Sequence, residues 1–216
     1  MRNQLILILT FVIIASIETF GQVLKDTVVD YDGNVYHTVK IGTQIWIVEN
    51  LKVTHYRNGK AIPNVTDSLK WYKLRTAAYC NYNNDASISK TSGKLYNWDA
   101  IHNTFNLCPI GWKIPSDTEW RKLKDNLNNG NRFCEADSKN WKNIKENIFK
   151  LLLGGYRCGD GPFDSIGTFG DWWTSSELNT DEAINWFLDF SSGKFGRNEN
   201  GNSKKNGFSV RCLKDS

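Results

Sequence analysis

The chain has 216 residues, a formal net charge of +4 and nine tryptophans. So mild a charge, carried by dispersed basic residues, argues against a nucleic-acid partner. The longest apolar run, Leu5–Ala15, is too short for a membrane-spanning helix, which needs about 20 apolar residues. The length suffices for one sizeable core, and the many tryptophans indicate loops pinned by large aromatic anchors.

Residues 1–21 are predicted to be an export signal peptide. Arg2 supplies its positive start, Leu5–Ala15 its apolar stretch, and the small residue Gly21 precedes a cut before Gln22. A helix buried in the domain is the alternative interpretation. We therefore expect a mature protein that begins at Gln22, has no transmembrane segment, and is secreted, at the cell surface or in the periplasm.

The mature chain predicts a single α+β domain over residues 34–216, preceded by an N-terminal segment, 22–33. Turn residues and alternating apolar positions predict strands, and apolar residues at helical spacing predict two short helices. The stretches 52–92 and 129–182 are predicted to be loop-rich. The predicted elements are a hairpin at 34–48, a helix at 93–102, a strand at 112–114, a helix that begins after Ser116, a short apolar run at Leu151–Leu153, a strand at 184–190 and a last strand at 208–212.

The start of the second helix is the most specific local signal. Ser116 is followed three residues later by Glu119, which is the pattern of a capping box, where each side chain satisfies a backbone N–H. Pro115 holds the residue before it in an extended conformation, so the strand ends before the helix begins. Trp120 opens the apolar face of this helix, and we expect it in the core.

The predicted mature chain contains five cysteines, and its compartment permits disulfides. Two bridges with one cysteine left over can be drawn in many ways, so spacing alone selects none. The sequence has no Cys-x-x-Cys pair and no Cys/His cluster, and we predict no zinc site.

Seven sequence blocks, in this order, indicate a family. They are VYHTVKIGTQIWIVENL (35–51), AYCNYNND (78–85), GKLYNWDA (93–100), CPIGWKIPSDTEW (108–120), LGGYR (153–157), WWTSS (172–176) and GFSVRC (207–212). Across nearly the whole mature chain they resemble the Fibrobacter succinogenes major paralogous domain (FISUMP) family, with Trp172 where that family usually has tyrosine. That family in turn looks like the formylglycine-generating enzyme branch of the C-type-lectin-like fold.

The resemblance implies a scaffold rather than an activity. It places the N- and C-terminal strands in one sheet, with two short helices packed on small antiparallel sheets and long loops. It also implies a Cys108–Cys212 disulfide, because the strand after Cys108 would lie beside the last strand. Cys134–Cys158 is the second expected pair, and Cys80 is expected to be free. The generating enzymes hold copper with two cysteines near the C-terminus, but here only Cys212 follows Cys158, so we assign no catalytic residue.

The candidate ligand-binding residues are Trp172, Trp173, Asn83, Asn84 and Asp85. Adjacent residues of an extended segment point to opposite faces, so one tryptophan can fill the core while the other is exposed and stacks on a sugar or a protein. Burial of both rings is the alternative. The oxygens of the Asn-Asn-Asp loop suggest calcium as the one cofactor to consider. Calcium takes about six to eight oxygen ligands, however, and this loop has one carboxylate. We therefore assign no metal ligand. Any ligand site is expected on the loops around 81–85 and 159–176.

The leading functional hypothesis is a secreted, non-enzymatic binding or surface-display domain that recognises a glycan or a cell-surface protein, because loops on a rigid scaffold are where recognition usually occurs. One alternative is a diverged enzyme on a formylglycine-generating-enzyme-like scaffold, or a polysaccharide-active protein. Another is a structural component of a surface assembly. A pocket that gathers two cysteines, or two carboxylates with an aromatic wall, would favour an enzyme, whereas large exposed apolar patches would favour the structural role.

Overall fold

The computed structural model describes residues 23–130 and 153–215. The predicted signal peptide, the cut before Gln22, Cys134 and the first two residues of the Leu151–Leu153 run lie outside these ranges. The helices are Ser68–Lys73 (α1), Ala86–Ser92 (α2), Trp98–Ile101 (α3) and Asp117–Gly130 (α4), with a 3-10 turn at Tyr82–Asn84. The strands are Val23–Val29 (β1), Val35–Ile41 (β2), Gln44–Ile47 (β3), Tyr79–Cys80 (β4), Leu95–Tyr96 (β5), Trp112–Lys113 (β6), Gly154–Arg157 (β7), Phe163–Ile166 (β8), Phe169–Glu177 (β9), Glu182–Asp189 (β10), Lys194–Arg197 (β11), Asn202–Ser203 (β12) and Leu213–Lys214 (β13).

The strands form three sheets, which make the fold a mixed α+β architecture dominated by sheet. The first has the order β1-β2-β3-β13-β6, the second has the order β11-β10-β9-β7-β8 with β12 also on β10, and the third pairs β4 with β5. Leu213 of β13 lies opposite both Trp46 of β3 and Lys113 of β6. The predicted hairpin 34–48 is confirmed as β2 and β3, and the N- and C-terminal strands share one sheet, as expected.

Several predicted elements differ from those observed. The helix predicted at 93–102 is the strand β5 followed by the short helix α3, because Asn97 caps α3 by accepting a hydrogen bond from the Ala100 N–H (3.1 Å). The two stretches predicted to be loop-rich contain the helices α1 and α2 and the strands β4, β7, β8 and β9. Among the described helices, none is both long and apolar enough to cross a membrane.

The capping box at the start of α4 is confirmed. The Glu119 carboxylate accepts hydrogen bonds from the backbone N–H (2.8 Å) and the hydroxyl (2.9 Å) of Ser116. The Lys113 ammonium lies 2.7 Å from the same carboxylate. One residue further on, Trp120 is fully buried, with its ring 4.9 Å from that of Trp46 between centroids. The cap and the buried indole together fix where this helix begins and which face it packs on the sheet.

The segment predicted as the last strand, 208–212, is extended but does not form one continuous ladder. Gly207 exchanges two backbone hydrogen bonds with β7 (2.8 and 2.9 Å), Phe208 exchanges two with β5 (2.9 and 3.0 Å), and the Cys212 carbonyl accepts one from β3 (2.9 Å). Each residue therefore pairs with a different strand, because the segment runs between the sheets rather than along one of them. It joins all three sheets before it continues into β13.

The Cys108–Cys212 disulfide is confirmed. Both cysteines are fully buried, and their Cα atoms are 5.9 Å apart across a sequence separation of 104 residues. Cys80 is a free, buried thiol, as expected, and burial raises its pKa to about 11. Cys134 lies outside the described residues and Cys158 carries a free thiol, so the structure gives no support to a Cys134–Cys158 pair.

Candidate functional site

The expectation that Trp172 or Trp173 is exposed is wrong. The two residues are 1% and 0% exposed. The Trp172 indole N–H donates to the Asn50 side-chain oxygen (2.8 Å), and the Trp173 indole N–H donates to the Tyr96 carbonyl (2.8 Å). Their rings do point to opposite faces, but β9 lies between β10 and β7 and is covered on both faces: Trp172 packs near Trp120 in one core and Trp173 packs in the other. Neither ring is therefore available to stack on a sugar or on another protein.

The Asn83–Asp85 loop is exposed, and its side chains serve the local backbone. Asn83 and Asn84 adopt positive φ angles of 51° and 58°, and the Asn84 amide donates to the Thr66 carbonyl (3.2 Å). Asp85 caps α2 by accepting from the Ser87 N–H (2.7 Å), and its hydrogen bonds with Ser87 lower its pKa. A ligand role for this loop remains a prediction.

The two predicted loop regions do meet, but through a buried contact. Tyr82 of the 3-10 turn lies 5.4 Å from Phe163 of β8 between ring centroids. The contact fills a small core rather than a site open to solvent. Within the ranges that the structure describes, no group of three or more His, Cys, Asp or Glu side chains is arranged to hold a metal ion.

A small pocket lies elsewhere, between α1, α3 and two turns of the six-stranded sheet. Its volume is about 130 Å³. One of the turns joins β9 to β10 and the other, residues 202–206, is named here the pocket turn. The pocket is lined by Trp71, Leu74, Arg75, Asn97, Asp99, Thr180, Asp181, Ser203, Lys204 and Lys205.

Backbone carbonyls of the pocket turn tie it to both helices. The Lys205 carbonyl accepts from the Trp71 indole N–H (2.8 Å), and the Lys204 carbonyl accepts from the Trp98 backbone N–H (3.0 Å). The Lys204 N–H in turn donates to the Asp181 carbonyl in the neighbouring turn (2.9 Å). The walls of the pocket are therefore connected to each other mainly through main-chain groups of the two turns and α3, with the Trp71 indole as the bond to α1.

One pocket lysine is already fully engaged. The Lys204 ammonium donates to the Glu177 carboxylate and to the carbonyls of Asn179 and Thr180 (both 2.7 Å). It also lies 4.5 Å from the centroid of the Trp98 ring, a cation–π contact. The hydrogen bond from Lys204 lowers the pKa of Glu177. Lys204 thus organises the wall and is a poor candidate for direct ligand contact.

The other charged groups of the pocket have fewer partners. Asp99 and Asp181 carry side chains that neither accept a hydrogen bond nor form an ion pair with any described residue. Within residues 23–130 and 153–215, the Arg75 guanidinium donates only to the adjacent Leu74 carbonyl (2.9 Å), and the Lys205 ammonium lies 4.4 Å from the Tyr72 ring centroid. Two carboxylates and two cations therefore line one small concavity without neutralising each other.

No sequence pattern predicted this pocket. Its lining residues come from four separate segments, and only Asn97 and Asp99 fall within one of the seven sequence blocks, which indicated the family and not a site. The general expectation that binding sites lie on loops between rigid elements applies to this pocket, but it does not select which loops form the site.

Of the comparisons with known proteins, the one against family models gave a match. A family model described as the Fibrobacter succinogenes major domain matches residues 39–214. These residues include every residue that lines the pocket. No curated protein and no solved structure matches the chain.

Proposed function

The chain belongs to the Fibrobacter succinogenes major domain family, and we propose that it is a secreted glycan-binding domain on a C-type-lectin-like scaffold. The pocket between α1, α3 and the pocket turn is its binding site. The observation that carries this proposal is a set of charged side chains around one concave site that have no ionic partner among the described residues: Asp99, Asp181, Arg75 and Lys205.

This arrangement suits the hydroxyl groups of a sugar. Each hydroxyl is both a donor and an acceptor, whereas a carboxylate only accepts and an ammonium or guanidinium only donates. A sugar hydroxyl can donate to Asp99 or Asp181 and accept from Arg75 or Lys205 at the same time. Hydrogen bonds to charged groups contribute about 1.5 to 3 kcal/mol each, so two such contacts give measurable recognition.

The size of the pocket limits the ligand to one small unit. Its volume of about 130 Å³ is roughly that of four water molecules at about 30 Å³ each. Pockets for drug-sized ligands are larger, about 300 to 1,000 Å³. The pocket can therefore enclose only part of a sugar residue, such as the hydroxyl-bearing edge of a chain end. A single site of this kind binds weakly, so useful affinity requires several sites acting together.

Export is supported by covalent structure as well as by the N-terminal sequence. The Cys108–Cys212 disulfide is fully buried and joins the segment after α3 to the C-terminal segment. Disulfides persist in oxidising compartments and are rare in the cytosol. A secreted, surface-exposed or periplasmic location fits both observations.

Hydrolysis of a polysaccharide is the second candidate function. Two carboxylates, Asp99 and Asp181, line the same pocket beside Trp71, and glycoside hydrolysis commonly uses a pair of carboxylates. Release of reducing ends from a polysaccharide, abolished in both Asp99→Asn and Asp181→Asn, would identify the protein as an enzyme rather than a binding domain.

The proposal is tested by screening the mature protein on a glycan array and measuring affinity for the strongest hit. Asp181 is exposed and caps no helix, so Asp181→Ala removes a pocket carboxylate with little risk to folding. Its matched control is Asp125→Ala, which removes an exposed carboxylate from α4, away from the pocket. We expect Asp181→Ala to weaken binding at least about tenfold, equivalent to about 1.4 kcal/mol, and Asp125→Ala to leave it unchanged. An array without any hit, or equal affinity in the two variants, would contradict the proposal.

A further inference from the structure

A chain of three asparagine side chains connects a buried carboxylate to the pocket turn. Asn185 donates to the carboxylate of Asp171 (2.6 Å), Asn202 donates to the side-chain oxygen of Asn185 (2.9 Å), and Asn206 donates to that of Asn202 (3.3 Å). The Asn206 oxygen finally accepts from the backbone N–H of Gly159 (2.9 Å). We call Asn185, Asn202 and Asn206 the asparagine chain.

All three amides point the same way. Each presents its NH₂ group towards Asp171 and its oxygen away from it. An ionised carboxylate can only accept hydrogen bonds, so it fixes the first amide, and each amide then fixes the next. A hydrogen bond to a charged acceptor is about twice as strong as a neutral one. The ionised state of Asp171 therefore sets the orientation of the whole chain.

The outer two asparagines bracket the residues that form one wall of the pocket. Asn202 and Asn206 stand at the two ends of the pocket turn, and Ser203, Lys204 and Lys205 between them all line the pocket. On its outer side, backbone carbonyls of the turn accept from the Trp71 indole of α1 and from the Trp98 backbone N–H of α3. On its inner side, the first two residues of the turn form β12, which pairs with β10, and Lys204 binds Glu177 of β9. The asparagine chain adds a link from both ends of the turn to the buried side chains of Asn185 and Asp171.

We propose that protonation of Asp171 reorients the asparagine chain and loosens the pocket turn, so that the pocket binds its ligand less well when Asp171 is neutral. The link between Asp171 and the turn stands on the hydrogen bonds alone, whereas its effect on a glycan rests on the proposed function. On protonation, a proton from solvent adds to the carboxylate. The group gains an O–H donor, and its bond from Asn185 loses the assistance of the negative charge.

The surroundings of Asp171 place this event near neutral pH. The residue is 5% exposed, and burial raises its pKa to about 7, with the Asn185 hydrogen bond acting in the opposite direction. The ionisable side chains on the neighbouring elements have partners elsewhere. In β7, Tyr156 binds Asp164 and Arg157 binds three backbone carbonyls. In β10, Glu182 binds Asn179 and Asp189 binds Ser191 and Ser192, and in the C-terminal segment Arg211 binds Asn50. Asp99 of α3 faces the pocket, and α4 packs on the opposite, Trp172 face of β9. Among the described residues, the pKa of Asp171 is thus determined by its burial and by the hydrogen bond from the Asn185 amide.

The test follows the free, mature protein by NMR between pH 5 and 9, without any ligand. The carbon signal of the Asp171 carboxyl reports its ionisation. The amide signals of Asn202, Asn206 and Gly159 report the orientation of the hydrogen bonds along the asparagine chain. We expect all of them to titrate with one midpoint near 7. The Asp171→Asn variant is expected to abolish the shared titration of the amide signals, whereas the matched control Asp125→Asn is expected to keep it.

A second variant tests the order of the chain. Asn206→Ala removes the last link, so Asp171 is expected to keep its midpoint while the Gly159 signal no longer follows it. The proposal is overturned if Asp171 does not titrate in this range, if it titrates without any response from Asn202 and Asn206, or if Asp171→Asn leaves the amide titration intact. If the shared titration is present and no glycan binds at any pH, the link is upheld and the proposed function fails.

Discussion

Because the carboxylate of Asp171 is buried, we predict that the free energy of unfolding falls as the pH rises. Its pKa is raised from an ordinary value of 3.8 to about 7 in the folded protein. Between these two values the folded state binds a proton that the unfolded state has released, so the free energy of unfolding falls as pH rises. Well below pH 3.8 the carboxyl is neutral in both states and contributes no cost. Above pH 7 the full cost is present, about 4 kcal/mol at about 1.36 kcal/mol per pH unit.

Replacing Asp171 with asparagine removes the ionisation and keeps an oxygen that can accept from Asn185. We expect Asp171→Asn to raise the free energy of unfolding by up to about 4 kcal/mol at pH 8, by about 1.6 kcal/mol at pH 5, and by little at pH 4. Urea unfolding followed by tryptophan fluorescence, with Asp125→Asn as the matched surface control, measures these differences. A difference between wild type and Asp171→Asn that does not change between pH 5 and pH 8 would refute the reasoning, because only a carboxyl group with a raised pKa produces the slope.

Three further changes test how the fold is held together, all by urea unfolding of the mature protein. Replacing both Cys108 and Cys212 with alanine is expected to lower the free energy of unfolding by about 4.7 kcal/mol, the chain-entropy value for a loop of about 100 residues; a loss below about 1 kcal/mol would show that the bridge constrains little. Trp120→Ala is expected to lower it by about 3 to 5 kcal/mol by opening a cavity between buried rings. Ser116→Ala is expected to lower it by only about 1 kcal/mol, the usual value for an N-cap. If Ser116→Ala proved more damaging than Trp120→Ala, the packing described for α4 would be wrong.

The elements that the sequence predicted well are those fixed by nearby residues. The capping box needs only Ser116 and Glu119, three residues apart, so its pattern is readable without knowledge of the rest of the chain. The hairpin 34–48 likewise depends on a turn and on local alternation of apolar residues. The Cys108–Cys212 pair is a different case, because the family resemblance supplied it and the spacing of the cysteines did not.

The errors come from contacts between distant parts of the chain. Whether Trp172 and Trp173 are exposed depends on what covers each face of β9, and the covering residues, Trp120 and Phe208 among them, are remote in sequence. The segment 208–212 alternates like a strand, but its partners change at every step because three sheets meet along it. Alternation reports which side chains point inward, and it cannot report how many strands lie alongside.

The pocket lies where a tightly held segment of the chain meets a more loosely held one. From Gly207 onwards the C-terminal segment is held by backbone bonds to three sheets and by the disulfide at Cys212, so it has little freedom to move. The residues immediately before it, the pocket turn, have only a two-residue ladder with β10 at their start, and beyond it the inner side of the turn is held by amide side chains. Side-chain hydrogen bonds of this kind are easier to rearrange than a sheet ladder, because they can break without displacing the strands. A recognition site at this boundary combines a fixed base with a wall that can adjust, and the buried Asp171 is positioned to control that adjustment.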